Sequence, residues 1–144
     1  MFQYIFLLFV LVQIVLSDDI YIYGPPQNGI YHPKDVMDIR YAVHSMGMTR
    51  IWSASAKLTN VETNTTIEGF PLTNWTASNN TQNFSHDIWT IPVDMPNGNY
   101  SMCVSGNTTF MCSKNGNGTA PFEQCHSNIY KYTTFIINNG TLEE

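Results

Sequence analysis

Apolar and polar residues alternate along much of this chain with a period of two, the mark of strands buried on one face. Between Val36 and His44, Met37, Ile39, Tyr41 and Val43 share one face, and Asp38, Arg40 and His44 share the other. Between Ile51 and Val61, Trp52, Ala54, Ala56 and Leu58 alternate with Ser53, Ser55, Lys57 and Thr59. Met46-Gly47-Met48 makes the turn between these two runs. A short first strand, Ile20–Tyr23, ends in the breakers Gly24, Pro25, Pro26 and Gly29. Residues 62–85 are rich in Asn and Thr and read as a loop with one weak strand over Thr66–Leu72. Strand signals return at Ile88–Val93, at Tyr100–Val104 and at Ile129–Ile137, with a polar loop over Ser113–Gln124.

About seven strands and no amphipathic helix predict an all-β fold of two packed antiparallel sheets, an immunoglobulin-like sandwich. The corner between Ile88–Val93 and Tyr100–Val104 supports it. Pro92 and Pro96 cannot donate to a ladder, so the chain leaves the sheet there, and Gly98 gives the backbone freedom for the return. Tyr100 stands two residues before Met102, where such sandwiches carry a corner tyrosine. Trp52 and Trp89 are expected in the core. Tyr41 or Val43, with Met102, takes the place of the inter-sheet disulfide of antibody domains.

Residues 1–17 read as a signal peptide. Ile5–Leu16 is apolar apart from Gln13 and too short to span a bilayer, and Val15-Leu16-Ser17 suits cleavage after Ser17. Residues 18–144 then form one domain. No other run is long enough to cross a membrane, and the polar C-terminus offers no lipid-anchor tail, so a released extracellular protein is expected. A net charge of −5 lacks the basic footprint of a nucleic-acid binder. Eight Asn-x-Ser/Thr sequons, at Asn64, Asn74, Asn79, Asn83, Asn99, Asn107, Asn117 and Asn139, exceed the roughly three that this composition yields by chance. Asn99, beside the corner, is expected to be poorly accessible. The three cysteines allow three pairings. Cys112–Cys125, closing loop 113–124, is preferred. Cys103 alternates with Met102 and so points away from the core, where Cys125 also comes within reach.

Candidate chemistry is sparse. Asp35 with Asp38, and Glu62 with Glu68, are the nearest approach to the paired carboxylates that glycoside hydrolysis requires, and both pairs read as solvated surface acids. No Gly-x-Ser-x-Gly is present, Cys103 has no evident histidine partner, and the four histidines show no ligand spacing with the cysteines. A non-enzymatic protein without cofactor or metal is expected. Exposed rings beside polar groups suit sugars. Trp75, Tyr130 and Tyr132 are the candidate ligand-contact aromatics, Trp75 lying within its own sequon.

Four segments resemble a fungal family, the Ig-like N-terminal domain of cell-wall-synthesis proteins of the Kre/Knh type, related to Ser/Thr-rich lipid-anchored wall proteins. They are Pro25-Pro26-Gln27-Asn28-Gly29-Ile30-Tyr31; Val36-Met37-Asp38-Ile39-Arg40-Tyr41; Trp89-Thr90-Ile91-Pro92 with Gly98-Asn99-Tyr100; and Thr133-Thr134-Phe135-Ile136-Ile137. Together they span most of residues 20–137. The resemblance implies a wall-associated protein that contacts β-glucan, and it carries over no catalytic residue. The chain has no Ser/Thr-rich stalk, which turns the expectation toward a small secreted wall-associated or host-facing protein. The partner is then a cell-wall polysaccharide or an extracellular protein. N-terminal sequencing of the product secreted by a eukaryotic host is expected to begin at Asp18; an intact Met1 would overturn the leader assignment.

Overall fold

The structure, a computed structural model, describes residues 19–44, 49–70, 73–74 and 84–140. The expected leader and the Met46–Met48 turn lie outside them. Nine strands appear among the described residues, two of them very short. They are β1 (Asp19–Gly24), β2 (Gly29–Tyr31), β3 (Val36–His44), β4 (Arg50–Asn60), β5 (Thr66–Gly69), β6 (Thr73–Asn74), β7 (Phe84–Thr90), β8 (Gly98–Ser113) and β9 (Phe122–Ile137). No helix occurs among these residues, and so none long and apolar enough to cross a membrane.

Two sheets enclose one core in a sandwich-like arrangement. The smaller has the order β1-β3-β7 and is antiparallel throughout. The larger runs β2-β9-β8-β4-β5, with β6 also on β4, and only the β2–β9 pairing is parallel. The alternation of β3 is borne out: Met37, Ile39, Tyr41 and Val43 are buried against Ala54, Ala56 and Leu58 of β4 and Met102 and Val104 of β8. The Tyr41 hydroxyl reaches across to the Ala54 carbonyl at 3.4 Å, tying one sheet to the other.

The corner also forms, in a modified way. β7 starts earlier than the sequence pattern indicates and stops at Thr90. Ile91 is buried beyond the strand end, its N–H bonded to Asp35 O and its carbonyl to Lys34 N. The turn after Pro92 is closed by Met95 N on Pro92 O at 3.2 Å. Gly98 opens β8 at φ 154°, a region that side chains beyond glycine rarely adopt. Tyr100 is fully buried, stacks on Phe135 at 5.8 Å and donates its hydroxyl to Pro96 O at 2.7 Å.

Three expectations are corrected. Gly29, grouped with the breakers, opens the parallel strand β2 with Ile30 and Tyr31; its neighbour Gln27 accepts from Thr134 N and Thr133 Oγ1, continuing the edge where strand pairing stops. The polar loop is shorter than 113–124. β8 and β9 pair from Gly98↔Ile137 out to Ser113↔Phe122, leaving a turn over residues 114–121 with Gly116 and Gly118 at positive φ. The third correction concerns Trp52. Its strand has a bulge between Ile51 and Ser53, so Ile51 takes the core position and Trp52 turns outward. Trp89, by contrast, is buried as expected.

Tyr100→Phe removes the donor to Pro96 O and keeps the ring. The expected cost is about 1 kcal/mol, seen as a lower urea midpoint at unchanged slope. An unchanged midpoint would show that the corner bond contributes nothing.

Candidate functional site

The outward face of the larger sheet collects most of the exposed chemistry. Its positions follow from register: Ser101, Cys103, Ser105, Asn107 and Thr109 on β8 stand opposite Thr134, Tyr132, Tyr130, Asn128 and His126 on β9. On the other side of β8, Thr59, Lys57, Ser55 and Ser53 stand opposite Ser101, Cys103, Ser105 and Asn107. Inward neighbours are the buried Met102, Val104 and Phe135, so burial of the core aims this row at solvent.

Tyr130 and Tyr132 are 55% and 61% exposed, two residues apart on one face of β9 as the sequence predicts. They border an open groove of about 620 Å³ floored by Cys103, Ser101 and Ser105 and flanked by Lys57 and Thr59. The Ser105 hydroxyl at its floor lies 3.2 Å from that of Ser55 on β4. Cys103 faces away from the core, as expected, yet is only 6% exposed because Tyr132 and Lys57 pair with it on either side. The Cys103 thiol opposite Tyr132 raises the Tyr132 pKa above its ordinary value, through hydrogen bonding to the phenol first and then through the charge the thiol develops. At the opposite rim, Asn60 Oδ1 accepts from Glu62 N and Thr63 N, which shapes the β4–β5 turn and sets Asn64 at φ 54°.

Further along the same face, Trp52, Asn107, Thr109, Gln124 and His126 line a second cavity of about 360 Å³. Trp52 Nε1 donates to Thr109 Oγ1 at 2.6 Å, and the Arg50 guanidinium sits 4.0 Å from the centre of the indole. Alternation along the sequence assigns Trp52 to the core and so misses this group. A bulge seldom has a signal in one strand, since it is defined by the partner's count of residues.

The smaller sheet presents a different outward face. Tyr21, Tyr23, Val36, Phe84 and Ile88 are exposed there. Tyr23 and Phe84 meet at 6.3 Å, Tyr21 and His44 at 6.4 Å. Between them Asp38 contacts His86 Nε2 at 2.6 Å and Arg40 Nε at 3.5 Å. Asp38 Oδ1 is sealed from solvent without a well-directed hydrogen bond, leaving the His86 contact to offset its burial.

The other candidates fall in scattered places. Asp35 Oδ2 accepts from His32 N within its turn, and Glu68 Oε1 from Gly69 N. Cys112 and Cys125 form the preferred disulfide, bridging β8 and β9 at a Cα separation of 5.9 Å. The Glu123 carboxylate lies within 4.8 Å of both sulfurs, which are bonded to each other. Asn64, Asn99, Asn107, Asn117 and Asn139 are exposed. Asn99 is therefore more open than expected, because it points outward from β8 opposite Ile136 rather than into the corner. Asn117 Oδ1 accepts from both the N–H and the hydroxyl of Thr119 in its own sequon, and Asn139 Nδ2 donates to Met95 O. Asn74 lies in β6, while Trp75, Asn79 and Asn83 fall outside the described residues. The chain matches no family model, no curated protein and no solved structure.

Replacing Cys103 with Ala removes the partner that holds the Tyr132 phenol protonated. Tyr132 is expected to titrate at lower pH in Cys103→Ala, followed by phenolate absorbance. The sign for stability follows: what the raised pKa contributes is fully present below about pH 10 and lost as pH rises through the Tyr132 value. An unshifted titration would show that the thiol does not set it.

Proposed function

We propose that this chain is a secreted, N-glycosylated, non-enzymatic protein of the fungal cell wall or its surroundings, contacting a polysaccharide such as β-glucan through the outward face of its larger sheet. One observation carries the reading: Tyr130 and Tyr132 stand exposed in a row above a groove bedded with serine and threonine hydroxyls. Pyranose rings have apolar C–H faces and hydroxyl rims. A surface that offers rings for the first and small hydroxyls for the second matches both. Lys57 adds a donor at the groove, and the low charge of the rest of the bed suits a neutral polymer.

The immunoglobulin-like part of the reading draws on strand order. A small β1-β3-β7 sheet against β9-β8-β4-β5 follows the order of A, B and E against G, F, C and an added C′ strand in such domains. The Tyr100–Pro96 bond has the connectivity of their tyrosine corner, a hydroxyl returning to the backbone a few residues upstream. The Kre/Knh-type resemblance of the four segments supplies the wall as the setting.

A second reading, a module that binds an extracellular protein, is favoured by the smaller sheet's outward face. Five exposed large apolar or aromatic side chains around an acid–base centre form the kind of patch that marks protein contacts.

Retention on insoluble β-glucan separates the two. The glycosylated protein is expected to be retained, and Tyr130→Ala with Tyr132→Ala to weaken retention about tenfold or more, as loss of stacking implies. Asn64→Gln, which clears the far rim of any glycan, is expected to keep it. Absence of retention on β-glucan and chitin would sink the polysaccharide reading. Cross-linking on intact cells to one protein, abolished by Ile88→Lys and untouched by the tyrosine pair, would favour the second.

A further inference from the structure

The cavity at Trp52 contains an acceptor asparagine of its own. Asn107 and Thr109, the first and last residues of one sequon, stand on the same face of β8 and both line it. Thr109 is already tied to the indole through Trp52 Nε1. Among the described residues no group hydrogen-bonds the Asn107 side-chain amide, which is exposed at the cavity's rim. Trp52 is 36% exposed, with the Arg50 guanidinium over its ring. The indole also borders the cavity. Gln124 and His126 bring amide and imidazole groups to the opposite wall.

We propose that the ligand of this cavity is the chain's own N-glycan: the first N-acetylglucosamine on Asn107 lies in it, with its apolar C–H face against Trp52. The inference rests on the secreted reading above. Three features support it. The volume, about 360 Å³, lies at the lower end of small-molecule sites, the size for one sugar rather than a long oligosaccharide. The cavity joins one aromatic wall to polar groups, the pairing that a sugar's two kinds of surface require. The tether is in place, so the sugar enters at high effective concentration and its binding needs little intrinsic affinity. Attachment exchanges one Nδ2 hydrogen for C1 of the sugar; the C1–O bond of a lipid-pyrophosphate donor breaks, and the lipid pyrophosphate and a proton leave. Thr109 is 6% exposed and tied to Trp52 in the folded chain, so attachment precedes folding of this face. The bulge then acquires a purpose, since an unbulged strand would turn Trp52 into the core and leave the sugar without a wall.

The test combines occupancy with coupling. Protein from a secretory eukaryotic host is mapped by peptide mass spectrometry, and its Tm is measured with and without Asn107→Gln, in the natural background and in Trp52→Ser. Asn107 is expected to be occupied. Asn107→Gln is expected to lower Tm by about 3–5 °C with Trp52 present and by under about 1 °C in the Trp52→Ser background. Trimming every glycan to its first sugar is expected to preserve the Tm difference. Should Trp52→Ser not fold, quenching of indole fluorescence supplies the readout: Asn107→Gln is expected to expose Trp52 to acrylamide. Equal Tm losses in both backgrounds, with quenching unchanged, would overturn the inference, as would an empty Asn107 beside other occupied sequons, which leaves the secreted reading intact. No sequon occupied at all would overturn both.

Discussion

Everything in the larger sheet depends on how β8 is entered. The chain leaves the small sheet at Thr90, turns past Pro92 and Pro96, and begins again at Gly98 in the other layer. Tyr100 holds that passage in place. Its ring fills the core against Phe135, and its hydroxyl satisfies the Pro96 carbonyl at the turn. One side chain thereby supplies burial through its ring and, because its hydroxyl finds a backbone acceptor at the turn, leaves no polar atom of its own unpaired in the core. Because β8 pairs with both β4 and β9, a slip at the corner would carry both neighbours with it and exchange the core face of the sheet for the outward one.

From that register follows the division of labour between the two faces. Met102 and Val104 go to the core, while Cys103, Ser105 and Asn107 go to the outward face. The tyrosines of β9 and the hydroxyls of β8 and β4 meet only because three strands are in register, although they come from segments far apart in the chain. The outward face is then a string of short polar side chains broken by rings. It is shallow, weakly charged and bordered by asparagines of Asn-x-Ser/Thr triplets, the combination on which the carbohydrate proposal rests.

Parts of this were legible in the residues. The strict alternation of Val36–His44 specifies its strand and its buried face because every second residue is apolar and no breaker interrupts it. The Pro92–Tyr100 segment is legible for the same local reasons, since proline and glycine restrict or release the backbone whatever surrounds them. The pairing of Cys112 with Cys125 and the exposure of Tyr130 and Tyr132 were also within reach, the first from loop closure, the second from alternation with Phe135.

What the residues could not disclose is wherever the partner strand decides. Trp52 reads as core by alternation, yet one extra residue opposite Thr108 and Asn107 turns it outward and gives its place to Ile51. The far ends of β8 and β9 read as loop because they bury little; pairing and a disulfide, with no apolar face, keep them extended. β2 is three residues long and exists only because β9 offers it an edge. Local backbone chemistry and periodicity thus determined the all-β class, the corner and the principal core face. The tertiary structure decided the bulge, the length of the hairpin and the meeting of rings with hydroxyls, because each is a property of two strands at once, and cross-strand register is set by the packing of the whole sheet.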